Sequence, residues 1–215
     1  MAIISPTITT SDLEQFNQSL ATLQTYAKRV QIDISDGTFA STQLVPIPSM
    51  ELPEGIKYDF HIMSVKPSEH IAAAIEKKPA LVIVHAELDD DFNAIANQLR
   101  SAGIKVGVAL LKSTLPSRAQ SLISQADHVL IFSGNLGEQG GTADMLQIEK
   151  VPLIRAIKSD VEIGWDGGAN LSNVRALAHA GVNVINVGGA LANASDPAAM
   201  YQSLIAESEK KGVLI

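Results

Sequence analysis

Two aspartates beside aliphatic segments are the residues of this sequence best suited to acid/base chemistry. Asp33 lies within the apolar segment 30–34, and Asp166 follows the apolar segment 163–165. A buried carboxylate is costly unless it is paired, so a strand has no structural need for either residue. If both side chains face one pocket, one can remove a proton from a carbon and the other can return a proton to the opposite face. That chemistry inverts a stereocentre next to a carbonyl group.

His61 and several glycines add a potential metal site and a potential phosphate site. His61 ends the segment 58–61, so a strand there could aim it where Asp33 points. An Asp, His and Asp set can hold a divalent metal, which would stabilise an enediolate by polarising the carbonyl oxygen. Glycines that let the backbone approach a phosphate follow three consecutive predicted strands, at Gly134, Gly137, Gly140, Gly141, Gly167, Gly168, Gly188 and Gly189.

Each of these residues also has a purely structural interpretation. Asp33 could cap a loop, and Asp166 could belong to the turn that precedes Gly167. A lone histidine at a strand end is often only hydrogen-bonded, and glycine is common in turns between strands and helices. The convergence of all three polar residues on one pocket is what would favour chemistry.

Alternating short aliphatic and longer amphipathic segments indicate the elements that position these residues. Strands are predicted over 3–5, 29–34, 57–63, 81–85, 105–109, 128–132, 161–165 and 184–187. Helices are predicted over 11–27, 67–77, 89–102, 170–180 and 195–211, with Ser11 as the first N-cap and Glu14 completing a capping box. Eight βα units predict a single α/β domain over residues 1–215, a (β/α)8 TIM barrel; a doubly wound open sheet is the alternative.

The composition narrows the function classes. The net charge of −7, from 23 acidic and 16 basic residues, argues against a nucleic-acid partner. The absence of cysteine excludes disulfides and thiolate chemistry. No apolar run reaches the roughly 18 residues that cross a bilayer, and no signal peptide is evident, so we expect a cytoplasmic protein without a membrane partner.

Five short motifs, in order along the chain, resemble the ribulose-phosphate 3-epimerase family. They cover residues 4–6, 31–37, 60–63, 84–87 and 165–168, and the resemblance extends from Ile4 to about Leu191. It implies a (β/α)8 barrel that interconverts ribulose 5-phosphate and xylulose 5-phosphate in the pentose phosphate pathway. The implied mechanism is a 1,1-proton transfer through a cis-enediolate, with a divalent metal at the centre.

The resemblance also implies roles for individual residues. Asp33 and Asp166 would be the acid and base, and the metal ligands would be Asp33, His61 and Asp166, joined by a residue at the position of Gln31. Ser5 would contact the sugar, and Met63 would be one of the methionines that line the pocket around the enediolate. The residues that hold the ligand and its phosphate would be Gly137, Gly140, Gly167, Gly168, Gly188 and Gly189.

Several positions depart from the family pattern. Gln31 stands where the family has a histidine ligand, and an amide oxygen is a poorer zinc ligand than imidazole. The expected cofactor is therefore zinc or a harder ion such as Mn, Fe or Mg, with binding weakened or absent. Glu138 adds an acid to the loop after strand six, where it could repel a phosphate or select a different sugar.

The leading hypothesis is a sugar-phosphate 3-epimerase that acts on ribulose 5-phosphate or a related ketose phosphate. One alternative is a phosphosugar-binding barrel that is non-catalytic or differently specific and has lost part of the metal site. A phosphosugar lyase or synthase is disfavoured, since no Asp-x-Lys-x-x-Asp run surrounds Asp59, and a Schiff base at Lys112 would need burial. The expected partner is a phosphorylated ketose; family members are often dimers or hexamers, so self-association is compatible with the resemblance.

Overall fold

The computed structural model describes residues 1–211 and confirms the predicted (β/α)8 TIM barrel. The last four residues of the predicted domain, 212–215, lie outside the described residues. Eight parallel strands follow one another around the barrel, and pairing of β1 with β8 closes it. The strands are β1 Ile3–Ile8, β2 Arg29–Ser35, β3 Lys57–Met63, β4 Leu81–His85, β5 Lys105–Leu110, β6 His128–Phe132, β7 Glu162–Asp166 and β8 Val184–Val187.

Helices connect the strands and cover the outside of the barrel. They are α1 Leu13–Gln24, α2 Ser68–Lys77, α3 Phe92–Ser101, α4 Gln120–Gln125, α5 Lys150–Ile157, α6 Val174–His179, α7 Gly189–Ala192 and α8 Pro197–Ser208. Short 3-10 helices lie at Ile47–Ser49, Pro116–Ala119 and Met145–Glu149. Among residues 1–211, no helix combines the length and apolarity that crossing a bilayer requires.

The predicted cap of the first helix was wrong by one residue. Asp12, and not Ser11, has the extended backbone of an N-cap, and its side chain accepts a hydrogen bond from the backbone N–H of Gln15. A carboxylate at this position also complements the positive end of the helix dipole, which a hydroxyl cannot do. The helix therefore begins at Leu13 and is shorter than predicted at both ends.

Strand β1 is three residues longer than predicted. Pro6 does not end the strand, because Thr7 and Ile8 continue the ladder by pairing with Gln31 and Ile32 of β2. Alternate residues of a strand face the same side of the sheet, so the extension carries a second polar side chain of β1 toward the barrel mouth.

The alternation along each strand divides the core in two. One set of side chains packs outward against the helices; it is dominated by Ile, Val and Leu and includes the fully buried Trp165. The other set fills the barrel, where a small apolar cluster of Leu81, Ile83, Ala109 and Leu130 lies between polar groups at the two barrel ends. The polar groups at the carboxyl ends of the strands form the candidate site.

Candidate active site

Asp33, His61 and Asp166 converge at the carboxyl end of the barrel. Asp33 and His61 are register partners on β2 and β3, and Asp166 is the last residue of β7. One ligand atom from each of the three lies within 4.8 Å of the others. The strands therefore place two carboxylates and an imidazole around one point, although 133 residues separate the two aspartates in the sequence.

The side-chain amide of Gln31 bridges the two carboxylates. Its Nε2 donates to Asp33 Oδ1 at 2.9 Å and to Asp166 Oδ2 at 2.6 Å. Thr9 Oγ1 donates to the other oxygen of Asp33 at 2.7 Å. Gln31 Oε1 is buried and has no hydrogen-bond partner among residues 1–211. The amide thus holds the carboxylates together without neutralising either.

His61 connects the carboxylates to a second buried histidine. Its Nδ1 lies 3.0 Å from Asp33 Oδ1 and 3.7 Å from Asp166 Oδ2, while its Nε2 lies 2.9 Å from His85 Nε2. The Phe132 ring packs against both imidazoles, with centroids 5.8 and 5.9 Å away. His61 therefore presents Nδ1 to the carboxylates and keeps Nε2 within the protein.

Burial and mutual charge shift the pKa values of these groups. Burial, followed by the charge of Asp33, raises the pKa of Asp166 to about 7. Burial disfavours the charged form of His61, but the hydrogen bond and charge of Asp33 and the charge of Asp166 outweigh it, so the pKa of His61 is raised. A carboxyl group that titrates near neutral pH can act as a general acid or a general base.

A cavity of about 300 Å³ opens above these residues. Asp33, Asp166 and Met63 line it, together with every glycine predicted to hold the ligand: Gly137, Gly140, Gly167, Gly168, Gly188 and Gly189. At Gly167 the backbone φ is +113°, and a Cβ atom would lie 2.1 Å from the amide nitrogen of Gly134. Only glycine fits there, because the two loops that floor the cavity touch through their backbones.

Ser5 does not line this cavity. It is fully buried on β1, and its Oγ has no hydrogen-bond partner in the described part of the chain. Thr7, two residues further along β1, and Thr9, which follows the strand, line the cavity instead. The contact of Ser5 with the sugar therefore remains a prediction that this placement does not favour.

Sequence reasoning missed several polar residues of the site. Asn186 on β8 lines the cavity with a buried Oδ1 that has no partner within residues 1–211, and Gln139 and Asn193 border it. His85 and Glu87 were recognised as polar residues at the end of the fourth predicted strand and within a motif, but they received no role. Alternate residues of a strand face the same side, and this alternation could have found Thr7 and Asn186. Thr7 lies two residues after Ser5, and Asn186 lies two residues before Gly188.

The donor set fits a divalent cation. Asp33, Asp166 and His61 Nδ1 provide two carboxylate oxygens and one imidazole nitrogen around one point. Gln31 now presents its amide N–H groups to the carboxylates, which is the wrong polarity for a ligand. Rotation of the amide would present the unpartnered Oε1 instead, and the set would then be rich in oxygen, which suits harder ions better than zinc.

Comparison with known proteins identifies the family of the chain. The model of the ribulose-phosphate 3 epimerase family matches residues 3–192. The ribulose-phosphate 3-epimerase of Mycobacterium leprae (strain TN) is 26% identical over 212 residues, covering 94% of this chain and 93% of that protein. The chloroplastic ribulose-5-phosphate-3-epimerase of Arabidopsis thaliana is 24% identical over 223 residues, covering 99% of this chain and 79% of that protein.

A solved structure with the same architecture is more distant in sequence. The 3-hexulose-6-phosphate synthase from Salmonella typhimurium has a TM-score of 0.71 at 16% identity, covering 96% of this chain and 98% of that chain. This likeness shows the barrel fold alone, whereas the family match spans most of the chain. The chain therefore belongs to the ribulose-phosphate 3-epimerase family and is an enzyme of the isomerase class.

Proposed function

We propose that the chain interconverts ribulose 5-phosphate and xylulose 5-phosphate by proton transfer at carbon 3. The observation that carries this proposal is the convergence of Asp33 and Asp166, which share one Gln31 amide at the floor of the cavity. Packed aliphatic side chains do not separate them. Two carboxyl groups on different strands can approach one carbon from opposite faces, which is what inversion of a stereocentre requires.

The two aspartates take complementary roles. With the pKa of Asp166 raised to about 7, this residue can carry a proton, while Thr9 and Gln31 donate hydrogen bonds that position Asp33 as the base. Asp33 removes the proton from one face of carbon 3, and the proton of Asp166 is delivered to the other face. The reverse reaction exchanges the two roles, so each turnover leaves the pair ready for the opposite direction.

A divalent cation would be held by Asp33, His61 and Asp166. When bound, it would polarise the carbonyl oxygen of the ketose and so stabilise negative charge that develops there. Gln31 in place of a histidine supports weaker zinc binding and a preference for Mn, Fe or Mg. The donor geometry supports this assignment, and the identity of the ion is part of the proposal.

The phosphate group of the ketose would lie against the glycine loops after β6, β7 and β8. These loops line the cavity on the side away from Met63's strand, and their small residues leave backbone N–H groups accessible to a ligand. The net charge of −7 is compatible with this role because backbone amides bind anions without a basic side chain. Glu138 in the β6 loop would bias the site toward particular sugars.

A stereochemical assay tests the proposed reaction. The protein is incubated with ketose 5-phosphates and 6-phosphates, with and without Mn²⁺ or Zn²⁺, and the epimers are separated. We expect epimerisation of ribulose 5-phosphate, its loss in Asp33→Asn, and its retention in Asp160→Asn, a matched control on the exposed surface. Binding of the ketose phosphates without any epimerisation would contradict the proposal and favour the non-catalytic barrel.

A further inference from the structure

The contacts behind His61 point to a role for Glu87 that the proposed reaction does not use. His85 is completely buried, and its Nε2 lies 2.9 Å from His61 Nε2. Only one proton fits between these two nitrogens, so one ring donates and the other accepts. In a neutral pair, the ring that donates carries its single N–H on Nε2, and the ring that accepts carries its N–H on Nδ1.

Glu87 lies at the other side of His85. Its Oε2 is 3.4 Å from His85 Nδ1, and both atoms are buried without another hydrogen-bond partner among residues 1–211. The other carboxylate oxygen is anchored, because Glu87 Oε1 accepts from Thr114 Oγ1 and from the backbone N–H of Leu111. Phe39 packs against the His85 ring at a centroid distance of 4.8 Å. Glu87 is therefore the acceptor toward which a His85 Nδ1–H group can point.

Two proton arrangements follow for the neutral pair. If His85 carries its proton on Nδ1, facing Glu87, its Nε2 accepts from His61 Nε2–H, and the lone pair of His61 Nδ1 faces Asp33 and Asp166. If His85 carries its proton on Nε2, His61 Nε2 accepts, and His61 Nδ1–H donates to Asp33 Oδ1, 3.0 Å away. The first arrangement allows His61 Nδ1 to bind a cation, while the second blocks it with a proton. Both arrangements carry the same number of protons.

We propose that Glu87 is a positioning residue that favours the first arrangement and thereby prepares His61 Nδ1 as a metal ligand. Glu87 acts through His85 and touches neither substrate nor cation. Histidine ligands of metals commonly donate their second N–H to a fixed acceptor, and loss of that acceptor costs about 10–100-fold in metal affinity. This inference rests on one part of the proposed function, the binding of a cation between the carboxylates, and does not require the epimerase reaction.

The test combines metal titration with nitrogen NMR on the full chain. Mn²⁺ and Zn²⁺ are titrated into the wild type, Glu87→Leu, Glu87→Gln and Glu138→Gln. Glu138→Gln is the matched control, because it removes another acid near the cavity that is not in contact with His85. Thermal unfolding of each variant shows whether it remains folded.

We expect Glu87→Leu to lower the affinity for either ion about 10–100-fold and Glu138→Gln to change it less than about threefold. In ¹⁵N-histidine spectra of the Zn²⁺-loaded wild type, His85 should carry its proton on Nδ1 and His61 on Nε2. Glu87→Gln should restore part of the affinity, since an amide oxygen can still accept from His85.

Unchanged metal affinity in a folded Glu87→Leu variant would overturn the inference. So would a metal-loaded wild type in which His85 is protonated on Nε2, or a wild type that binds neither ion. Absence of epimerase activity together with the expected affinities and spectra would contradict the proposed function and leave the role of Glu87 intact. If Glu87→Leu fails to fold, the tautomers of the loaded wild type and the affinity of Glu87→Gln still decide the question.

Discussion

The two ends of the barrel interior both contain buried carboxylates, but they balance the charge differently. We call Gln31, Asp33, His61 and Asp166 the carboxyl-end cluster, and Arg29, Asp59, His128 and Glu162 the amino-end cluster. Both sets project into the barrel, and the apolar cluster around Leu81 and Leu130 lies between them. Both clusters draw on β2, β3 and β7, and each contains a buried aspartate, so the difference in their chemistry comes from the residues themselves.

The amino-end cluster contains a permanent cation. The Arg29 guanidinium donates to both oxygens of Glu162 at 2.9 and 2.8 Å and to Asp59 at 2.5 Å. Burial acts to raise the pKa of Glu162, but hydrogen bonds from His128 and Arg29 outweigh it and the pKa is lowered. Burial still raises the pKa of Asp59, although Arg29 opposes it. Arg29 stays charged at all relevant pH values, so this end is suited to stability.

The carboxyl-end cluster has an amide where the amino end has a guanidinium. Gln31 donates to both carboxylates without supplying charge, so the charge of Asp33 and Asp166 is offset by a proton on Asp166 or His61, or by an external cation. This difference agrees with the general division of these barrels, in which the carboxyl ends of the strands hold the reactive groups.

The largest effect should follow from removing a carboxylate at the carboxyl end. Asp33→Asn and Asp166→Asn should each lower kcat for epimerisation by about 10³-fold, within the range typical of general acid–base catalysis. Their free energy of unfolding should stay equal or rise, because each change relieves repulsion between buried carboxylates. Steady-state kinetics and urea unfolding check both expectations. A variant that keeps more than a tenth of the activity would remove that aspartate from the mechanism.

The next effect should follow from removing the cation at the amino end. Arg29→Met should lower the free energy of unfolding by about 3–5 kcal/mol, because it leaves the buried carboxylate of Asp59 without its partner. The folded variant should keep the wild-type kcat, since Arg29 lies at the end of the barrel opposite the cavity. Urea unfolding and kinetics on the same sample measure both. A fall in kcat with no loss of stability would reverse the roles assigned to the two ends.

A smaller effect should follow from changing the bridging amide. Gln31→His should raise zinc affinity by about 10–100-fold, the scale on which ligand surroundings tune metal sites, because imidazole is a better zinc ligand than an amide. Mn²⁺ affinity should change less. Calorimetric titration of both ions into the wild type and the variant provides the comparison. Equal zinc affinity would mean that Gln31 does not face the cation.

The smallest effect should be a pH dependence of stability in the metal-free protein. The pKa of Asp166 is raised to about 7, and that of an unfolded aspartate is about 3.9, so the native state binds an extra proton between these values. This contribution to stability is fully present below about pH 4 and is lost as the pH rises through about 7. The Tm of the wild type should therefore fall relative to Asp166→Asn between about pH 5 and pH 8. A constant difference would contradict the raised pKa.

The strands and the two aspartates at their carboxyl ends could be predicted from the sequence, because each depends on local pattern. Aliphatic segments gave strand bounds close to the observed ones, and Asp33 and Asp166 stood out at their ends. The end of β1 could not be predicted, since Pro6 reads as a strand breaker unless the pairing with β2 is known. Thr7 therefore received no role, whereas the role of Ser5 came from the family resemblance.

The pairing of distant polar residues could not be predicted either. Arg29 and Glu162 are 133 residues apart, and only closure of the barrel brings them together. The orientation of the Gln31 amide depends on two carboxylates from different strands. The alignment of His61, His85 and Glu87 depends on the packing of β3 against β4 and on the loop that follows β4. Local composition contains none of this information.

Proton exchange at carbon 3 tests the central claim most directly. Ribulose 5-phosphate is converted in D2O, and the first xylulose 5-phosphate formed is analysed by NMR. The account predicts that this product carries deuterium at carbon 3, because the proton delivered by one aspartate is not the proton removed by the other. A product that keeps the original hydrogen at carbon 3 would contradict proton transfer by two separate carboxyl groups.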